Sequence, residues 1–235
     1  MMKFFLFLRL VISDRFKIMR LRKLGLPPDF KTGIYLYVGL PGRGKTISIV
    51  KKLDEIRATY PDALIVTNFG YKYEHASLTS WKQLVNLKNG ASGIVFAIDE
   101  VQLTFNSRAW KDFPPDMVTL LTQNRKERKL ILTSAQSYDR VDKVFRELTN
   151  YVVRCRTIGG RWTFNRAFLR EEYEAFVSGY GKSGRKAVTS WRFSFIQTDE
   201  LRSQYDTFKI LTRLSDLAVA GDLVRGLISD VPDSN

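Results

Sequence analysis

The feature that most constrains this chain of 235 residues is a glycine-rich octapeptide that follows a short apolar run. The run is Ile34-Tyr35-Leu36-Tyr37-Val38, and the octapeptide is Gly39-Leu40-Pro41-Gly42-Arg43-Gly44-Lys45-Thr46, which satisfies the pattern G-x-x-x-x-G-K-[S/T] in full. Apolar residues then recur at helical spacing, at Ile49, Val50, Leu53 and Ile56. A strand, a glycine loop and a helix in this order form a cradle for phosphate, because loop N–H groups and the positive end of the helix dipole face the same anion.

The octapeptide also assigns roles to its polar residues. Lys45 is expected to reach the β- and γ-phosphates, and Thr46 to hold Mg²⁺. Glycines are needed because a Cβ would hold the backbone away from the ligand. The sequence therefore predicts a nucleoside triphosphate with Mg²⁺ as the ligand, bound by the eight motif residues together with Ile47.

Strand and helix patterns alternate along most of the chain, which is typical of a parallel sheet with helices on both faces. Predicted strands are 33–39, 63–68, 93–99, 129–136 and 151–157, and predicted helices are 45–60, 79–88, 115–127 and 139–149. Beyond them, antiparallel strands at 162–164 and 191–195 and a helix at 210–228 are predicted. The fold class is therefore α/β, a P-loop NTPase with a small C-terminal extension, divided into residues 1–28, 29–158 and 159–235.

The N-terminal segment is both apolar and basic. Residues 3–24 mix Phe, Leu, Ile and Met with Lys and Arg, and their longest apolar run is far shorter than the roughly 20 residues of a spanning helix. One interpretation is a basic helix that lies in a membrane interface. The other is a helix that packs on the domain or on a neighbouring subunit with a basic outer face.

Composition narrows the classes of partner and of chemistry. A net charge of +14 favours nucleic acid or the anionic inner leaflet of a membrane, although solubility alone also explains it. Cys155 is the single cysteine, so an internal disulfide is excluded and a reducing cytosolic setting is expected. It lies in an apolar run, which favours an inert core thiol. His75 is the single histidine, which excludes a histidine metal site and a Ser-His triad.

An acidic pair, Asp99-Glu100, directly follows the apolar run Ile94 to Ile98. In P-loop enzymes the acid at the end of this strand binds Mg²⁺, and Asp99 fits that role. Glu100 can orient the attacking water as a general base. Two solvated loop carboxylates are the alternative, but the pair ends a buried strand downstream of a complete phosphate loop, which favours catalysis.

Further candidates lie near the same edge of the predicted sheet. Gln136, at the end of strand 129–136, either contacts the γ-phosphate or the water, or merely ends the strand; Ser134 and Asn68 are polar at comparable positions. Oligomeric motor ATPases often complete the site with an arginine from the neighbouring subunit. Arg125 is the first candidate and Arg108 the second, and each is alternatively a solvated residue or a nucleic-acid contact. The remaining arginines near this edge are Arg128, Arg140 and Arg146.

A longer run is more specific than the acidic pair alone: Asp99-Glu100-Val101-Gln102-Leu103-Thr104-Phe105-Asn106-Ser107-Arg108-Ala109-Trp110. Further matches follow in the same order, namely Asn68, Asn124-Arg125-Lys126, Gln136, Val141-Asp142-Lys143, Arg146, Tyr151-Val152-Val153-Arg154-Cys155-Arg156 and Tyr205-Asp206-Thr207. On these residues, positions 33–208 resemble the filamentous-phage assembly ATPases, the gene I or zonula occludens toxin-like (Zot-like) family.

This resemblance implies a branch of the hexameric motor ATPases that move DNA, with members that use ATP at the inner membrane to assemble and extrude virions carrying single-stranded DNA. It implies ATP at residues 39–46, Mg²⁺ on Thr46 and Asp99, and water activation by Glu100. The implied partners are further copies in a ring, expected to be a hexamer, phage coat proteins or a single-stranded DNA complex, and a membrane surface or membrane protein. The implied location is the host cytoplasm, peripheral to the inner membrane.

The chain departs from the family in two respects. Members usually carry a transmembrane helix and a periplasmic part after the ATPase domain, and neither is evident in this sequence. It also has an extension before the phosphate loop, so attachment through residues 3–24 or through a partner protein is a hypothesis.

Two other functions remain open. One is a DNA-packaging or conjugation ATPase of the wider translocase group, and the other is an ATP-dependent switch or scaffold that is recruited to a membrane. Aromatic and basic residues are mixed at 161–166 and 191–193, where they either stack on bases or alternate between the core and solvent faces of a hairpin, which is the favoured interpretation. Basic residues in the glycine loop suit nucleic acid or phospholipid; they are Lys182, Arg185 and Lys186.

Overall fold

The computed structural model describes residues 2–23, 30–101, 126–178 and 188–206. The strands are β1 (Gly33–Val38), β2 (Leu64–Thr67), β3 (Ala76–Ser77), β4 (Ile94–Ile98), β5 (Lys129–Ala135), β6 (Tyr151–Ile158), β7 (Trp162–Leu169) and β8 (Trp191–Ile196). The α-helices are α1 (Met2–Lys23), α2 (Lys45–Thr59), α3 (Lys82–Asn86), α4 (Lys143–Leu148), α5 (Arg170–Val177) and α6 (Asp199–Arg202). Short 3₁₀ turns lie at Gly90–Ser92 and Tyr138–Arg140.

The eight strands of the described residues belong to one sheet, in the order β3-β2-β4-β5-β1-β6-β7-β8. From β3 to β6 every pair is parallel. In β1, β4 and β5 every residue is buried, because side chains on both faces enter a core. One core contains Ile49, Val50 and Leu53 of α2. The other contains Phe145 of α4 and Tyr173 of α5. The predicted α/β class, a mostly parallel sheet with flanking helices, is confirmed.

Strands β6, β7 and β8 extend this sheet by two antiparallel pairings. Their burial alternates along each strand, as expected where one face meets the core and the other meets solvent. The sheet therefore runs without a break across residue 158, after which the sequence analysis placed a C-terminal extension. The division into three domains stays a prediction.

Several elements differ from those that the sequence predicted. The single helix expected at 139–149 is a 3₁₀ turn followed by α4, because Asp142 caps α4 with a side-chain oxygen that accepts from the Val144 N–H at 2.8 Å. Strand β7 is much longer than the predicted 162–164, and β3, α5 and α6 were not predicted. The helix predicted at 210–228, the glycine loop with Lys182 and most of the helix predicted at 115–127 lie outside the described residues.

Helix α1 is apolar on much of its surface and is exposed. Phe4, Phe5 and Phe7 are each 61–63 % exposed, and none of them belongs to either core. In the part of the chain that the structure describes, no helix has both the length and the apolar content to cross a membrane.

Candidate active site

The glycine loop connects β1 to the first turn of α2, and its backbone conformation explains its glycines. Gly42 and Gly44 have φ values of 74° and 84°, in the left-handed region that side chains disfavour. A Cβ on Gly44 would also lie 2.6 Å from Thr157 Oγ1 and 3.0 Å from Thr163 Oγ1. A residue other than glycine is therefore disfavoured at position 44, both by the φ angle and by the threonines of β6 and β7. Gly44 directly precedes α2, whose first N–H groups have no partner within the helix.

The two residues expected to bind Mg²⁺ lie next to each other. Thr46 Oγ1 donates a hydrogen bond to Asp99 Oδ2 at 2.8 Å. Thr46 is in the first turn of α2 and Asp99 directly follows β4, so the bond joins two segments that are 53 residues apart in the chain. A hydroxyl and a carboxylate are the hard oxygen donors that Mg²⁺ prefers. These residues therefore fit a magnesium ion bound to a triphosphate.

Two further polar residues hold Asp99 in place. The Asn68 side chain donates to the Asp99 carbonyl at 3.0 Å and accepts from the Asp99 N–H at 2.8 Å. Ser134 Oγ donates to Asp99 Oδ1, and it accepts from the Glu100 N–H at 2.9 Å. All of these groups are at the carboxyl ends of β2, β4 and β5. Ser134 therefore orients both acids, a role that the sequence analysis did not assign to it.

Glu100 lies beside the lysine of the glycine loop. Its Oε1 is 3.5 Å from Lys45 Nζ, which also approaches the Leu40 carbonyl at 3.5 Å. Lys45 is buried, with 6 % of its surface exposed. Glu100 has a φ of 50°, a left-handed conformation that costs a non-glycine residue roughly 1–2 kcal/mol. The backbone is thus held in an uncommon conformation at the residue expected to activate water, as is frequent at functional sites.

Gln136 and the three candidate arginines that the structure describes, Arg128, Arg140 and Arg146, make contacts outside this cluster. Gln136 Oε1 accepts a hydrogen bond from Arg140 Nη1 at 2.9 Å. Arg146 is paired with Asp139 at 3.8 Å, and Arg128 donates to the Ala91 carbonyl. Arg108 and Arg125, the two candidates for a residue acting on the neighbouring subunit, lie outside the described residues.

A cleft of about 760 Å³ extends from the glycine loop and has Gln136 in its lining. It is lined by Gly39, Leu40 and Arg43 and by arginines of β6 and β7. Cys155 also borders the cleft, but burial raises the pKa of its thiol to about 12. Such a thiol is protonated at neutral pH, so Cys155 is a core residue and not a nucleophile.

A parallel sheet with a glycine loop after β1 and an acid after β4, separated by β5, defines a P-loop NTPase fold. The structure is similar to that of the N-terminal domain of zonular occludens toxin from Neisseria meningitidis. The match covers 74% of this chain and 98% of that chain, with 19% identity and a TM-score of 0.51. The Zot-like resemblance seen in the sequence is thereby confirmed at the level of the fold.

A second similar structure is that of B204, the DNA-packaging ATPase from Sulfolobus Turreted Icosahedral Virus. It has 14% identity and a TM-score of 0.45 over 76% of this chain and 96% of that chain. No protein-family model matches the sequence, and no curated protein matches it.

Proposed function

We propose that this chain is a magnesium-dependent ATPase of the Zot-like type, which drives the assembly and extrusion of filamentous phage at the inner membrane of the host. The observation that carries the ATPase is the cluster of Thr46, Asp99, Lys45 and Glu100 around the mouth of the glycine loop. Thr46 and Asp99 offer oxygen ligands for a metal ion, and Lys45 offers a positive charge for the phosphates. Glu100 is a carboxylate beside Lys45. The phage role is supported by the ordered motif matches, and the similar fold supports the assignment to a Zot-like domain.

The geometry of the cluster supports the following roles. The N–H groups of Gly42 and of residues 44–46, together with the Lys45 ammonium, would bind the β- and γ-phosphates, whereas the Arg43 N–H donates to the Leu40 carbonyl at 3.2 Å. Thr46 and Asp99 hold Mg²⁺, which neutralises charge on the phosphate oxygens when it is bound. Glu100 accepts a proton from the attacking water.

Binding of a triphosphate exchanges one partner of Lys45 for another. In the structure, its ammonium is 3.5 Å from the Glu100 carboxylate. Phosphate oxygens attract the ammonium away from this carboxylate, which leaves Glu100 able to accept a proton from water. The general base is therefore released by the substrate on which it acts.

The largest expected effect on activity is that of Glu100→Gln. Removal of a general base lowers turnover by roughly 10²–10⁴-fold, whereas nucleotide affinity is retained because Glu100 is not needed for binding. ATP turnover and the affinity for a fluorescent ADP are measured in parallel. Glu55→Gln is the matched control, because Glu55 is paired with Lys52 on α2, away from the loop. Unchanged turnover in Glu100→Gln would refute the assignment.

The motor requires an assembly of several copies, proposed to be a hexameric ring. In it Arg125, or else Arg108, completes the site of the neighbouring subunit. Sizing in the presence of ATP, and turnover with and without single-stranded DNA, test these two points. A ring with DNA-stimulated turnover supports a motor. Hydrolysis-deficient monomers would favour the switch or scaffold, and stimulation by duplex DNA alone would favour a packaging or conjugation ATPase.

Attachment to the inner membrane from the cytoplasmic side is assigned to α1. The support is its exposed apolar surface, including Phe4, Phe5 and Phe7, together with its basic residues. A chain that lacks residues 1–26 is expected to lose co-flotation with anionic vesicles while it retains ATP turnover. If flotation is unchanged, α1 is not the anchor and attachment falls to a partner protein.

A further inference from the structure

Strands β6, β7 and β8 have an exposed face on which arginines stand directly opposite one another. In the register of the sheet Arg154 pairs with Arg166, and Arg166 pairs with Arg192. All three are exposed. Because neighbouring strands are about 4.8 Å apart, the three side chains form a row about 10 Å long.

Aromatic residues follow this row on the same face. Phe164 lies two residues before Arg166 in β7 and pairs across the sheet with Arg156. Trp162 comes two residues earlier, is 49 % exposed, and has its ring centroid 4.7 Å from that of Phe164. We call these six residues the arginine–aromatic face: Arg154, Arg156, Arg166, Arg192, Phe164 and Trp162.

The arginine–aromatic face is expected to lower the stability of the folded chain when no partner is bound to it. Like charges directly opposite each other in a sheet repel, and here three occur in one row. Among the described residues, none of the side chains of the four arginines of the face forms an ion pair or a hydrogen bond. The two neighbouring aromatic rings expose apolar surface beside them. An arrangement that stability does not explain points to a partner that is polyanionic and also presents flat apolar groups.

We propose that the arginine–aromatic face binds single-stranded nucleic acid. Phosphates lie along the arginine row, and unpaired bases stack on Trp162 and Phe164. A duplex offers the phosphates but keeps its bases stacked inside, and a lipid headgroup offers no planar ring, so a single strand uses both halves of the face. This assignment rests on the proposed function and deepens it, since it gives the motor a surface for its nucleic-acid cargo.

Part of the face lies close to the proposed nucleotide site. Only the residues away from that site can be used to test nucleic-acid binding without affecting ATP binding. Arg154, Arg156, Phe164 and Arg166 also line the cleft that begins at Gly39. Trp162 and Arg192 belong to the face but not to the lining of that cleft. Changes at these two positions therefore separate binding of a nucleic acid from binding of ATP.

The experiment measures the affinity of the full chain for a labelled 20-nucleotide oligothymidylate by fluorescence anisotropy at several salt concentrations. Trp162→Ala is expected to weaken binding by about fivefold or more, because a base loses its stacking partner. Trp162→Phe keeps an aromatic ring and should remain within about twofold of wild type. Arg192→Gln should weaken binding and reduce the slope of log affinity against log salt by about 0.7, as expected for one phosphate contact on a single strand.

Lys143→Gln is the matched control, because Lys143 is an exposed cation of α4, away from the face. All variants are compared in thermal unfolding and in affinity for a fluorescent ADP, which should match those of wild type. Oligonucleotide binding by Trp162→Ala and Arg192→Gln that equals wild type would overturn the inference. So would a failure of the wild-type chain to bind the oligonucleotide, or vesicle binding by a chain lacking residues 1–26 that Arg192→Gln weakens.

Failure of this inference is distinguishable from failure of the proposed function. If ATP turnover depends on Glu100 while both face variants bind the oligonucleotide normally, the ATPase stands and the face is refuted. If the face variants lose binding but the wild-type chain hydrolyses no ATP, the face stands and the ATPase is refuted.

Discussion

In the centre of the parallel region of the sheet, in β4, β5 and β1, both faces are buried, whereas in the antiparallel region, from β6 to β8, one face is mostly buried and the other is mostly exposed. The difference is visible in the sequence, since β1 and β4 are continuous apolar runs but β7 alternates. Strands buried on both faces can offer functional groups only at their ends. Strands with one free face can offer a whole row of side chains. The proposed chemistry accordingly lies at the strand ends of the first region, and the proposed docking surface lies along the strands of the second.

The largest contrast in stability is expected between a central core residue and an outward-facing one. Leu36 in β1 is fully buried, and Leu36→Ala should lower the free energy of unfolding by roughly 2–5 kcal/mol, because it removes contacts and leaves a cavity. Ile196 in β8 is 56 % exposed, and Ile196→Ala should cost less than about 1 kcal/mol. Denaturant titration measures both values. Equal losses would show that the outer face of β8 is covered in solution.

A smaller effect is expected at the start of β5, where a lysine is buried. Lys129 Nζ donates to the Leu84 and Val85 carbonyls at 2.8 and 3.0 Å, and it lies 2.5 Å from Glu127. Lys129→Met should cost roughly 2–3 kcal/mol, because it leaves these partners unsatisfied. Lys88 is 62 % exposed and contacts the same carboxylate at 2.7 Å, so Lys88→Met should cost less than about 1 kcal/mol.

The cost of Lys129→Met should also depend on pH. Burial alone would raise the pKa of Glu127, but hydrogen bonds and charge from Lys129 and Lys88 outweigh it and lower the pKa. The stabilisation by this carboxylate is therefore complete above its ordinary pKa and is lost as the pH falls through the lowered one. The difference between wild type and Lys129→Met should shrink in that acidic range. A difference that stays constant would show that the backbone carbonyls alone account for it.

The smallest expected effect concerns the arginine–aromatic face. Arg192→Gln relieves repulsion by Arg166, so the free energy of unfolding should stay unchanged or rise by a few tenths of a kcal/mol, more at low salt. Arg192→Lys keeps the charge and should leave stability at the wild-type value. A loss above about 1 kcal/mol in Arg192→Gln would mean that the arginine has a structural partner, and would weaken the case for a docking surface.

The parallel core was predictable because its determinants are local. Three local signals predicted it: a continuous apolar run, a full glycine-loop motif and an acid directly after a strand. Each can be recognised from a few consecutive residues. The meeting of Thr46 with Asp99 also followed, since carboxyl ends of parallel strands share one edge. Ser134 was only a polar residue near the end of a strand. Its role depends on the pairing of Ile98 with Thr133, which places Ser134 beside Asp99 and which no local pattern specifies.

The antiparallel region was harder to predict because its partners are distant in the chain. The mixture of aromatic and basic residues was interpreted as alternation between core and solvent, and burial in β7 does alternate. The alternation was not enough to say which residues face inward. In the structure Thr163 and Asn165 enter the core, and Trp162 and Arg166 are exposed. Small polar residues suit the inner side because they pack against the glycine loop and α2.

Those inward residues make β6 and β7 the supporting wall of the glycine loop. Thr157 and Thr163 limit the space at Gly44, and Asn165 shares two hydrogen bonds with Ser48 of α2, at 3.0 and 3.2 Å. Tightly packed interiors transmit a displacement and do not absorb it. Under the proposed function, any movement of the loop on ATP binding would be passed through a single layer of backbone to the arginines and rings on the reverse side of these strands. The proposed contact with single-stranded nucleic acid and the proposed hydrolysis of ATP would then be coupled directly across the thickness of one sheet.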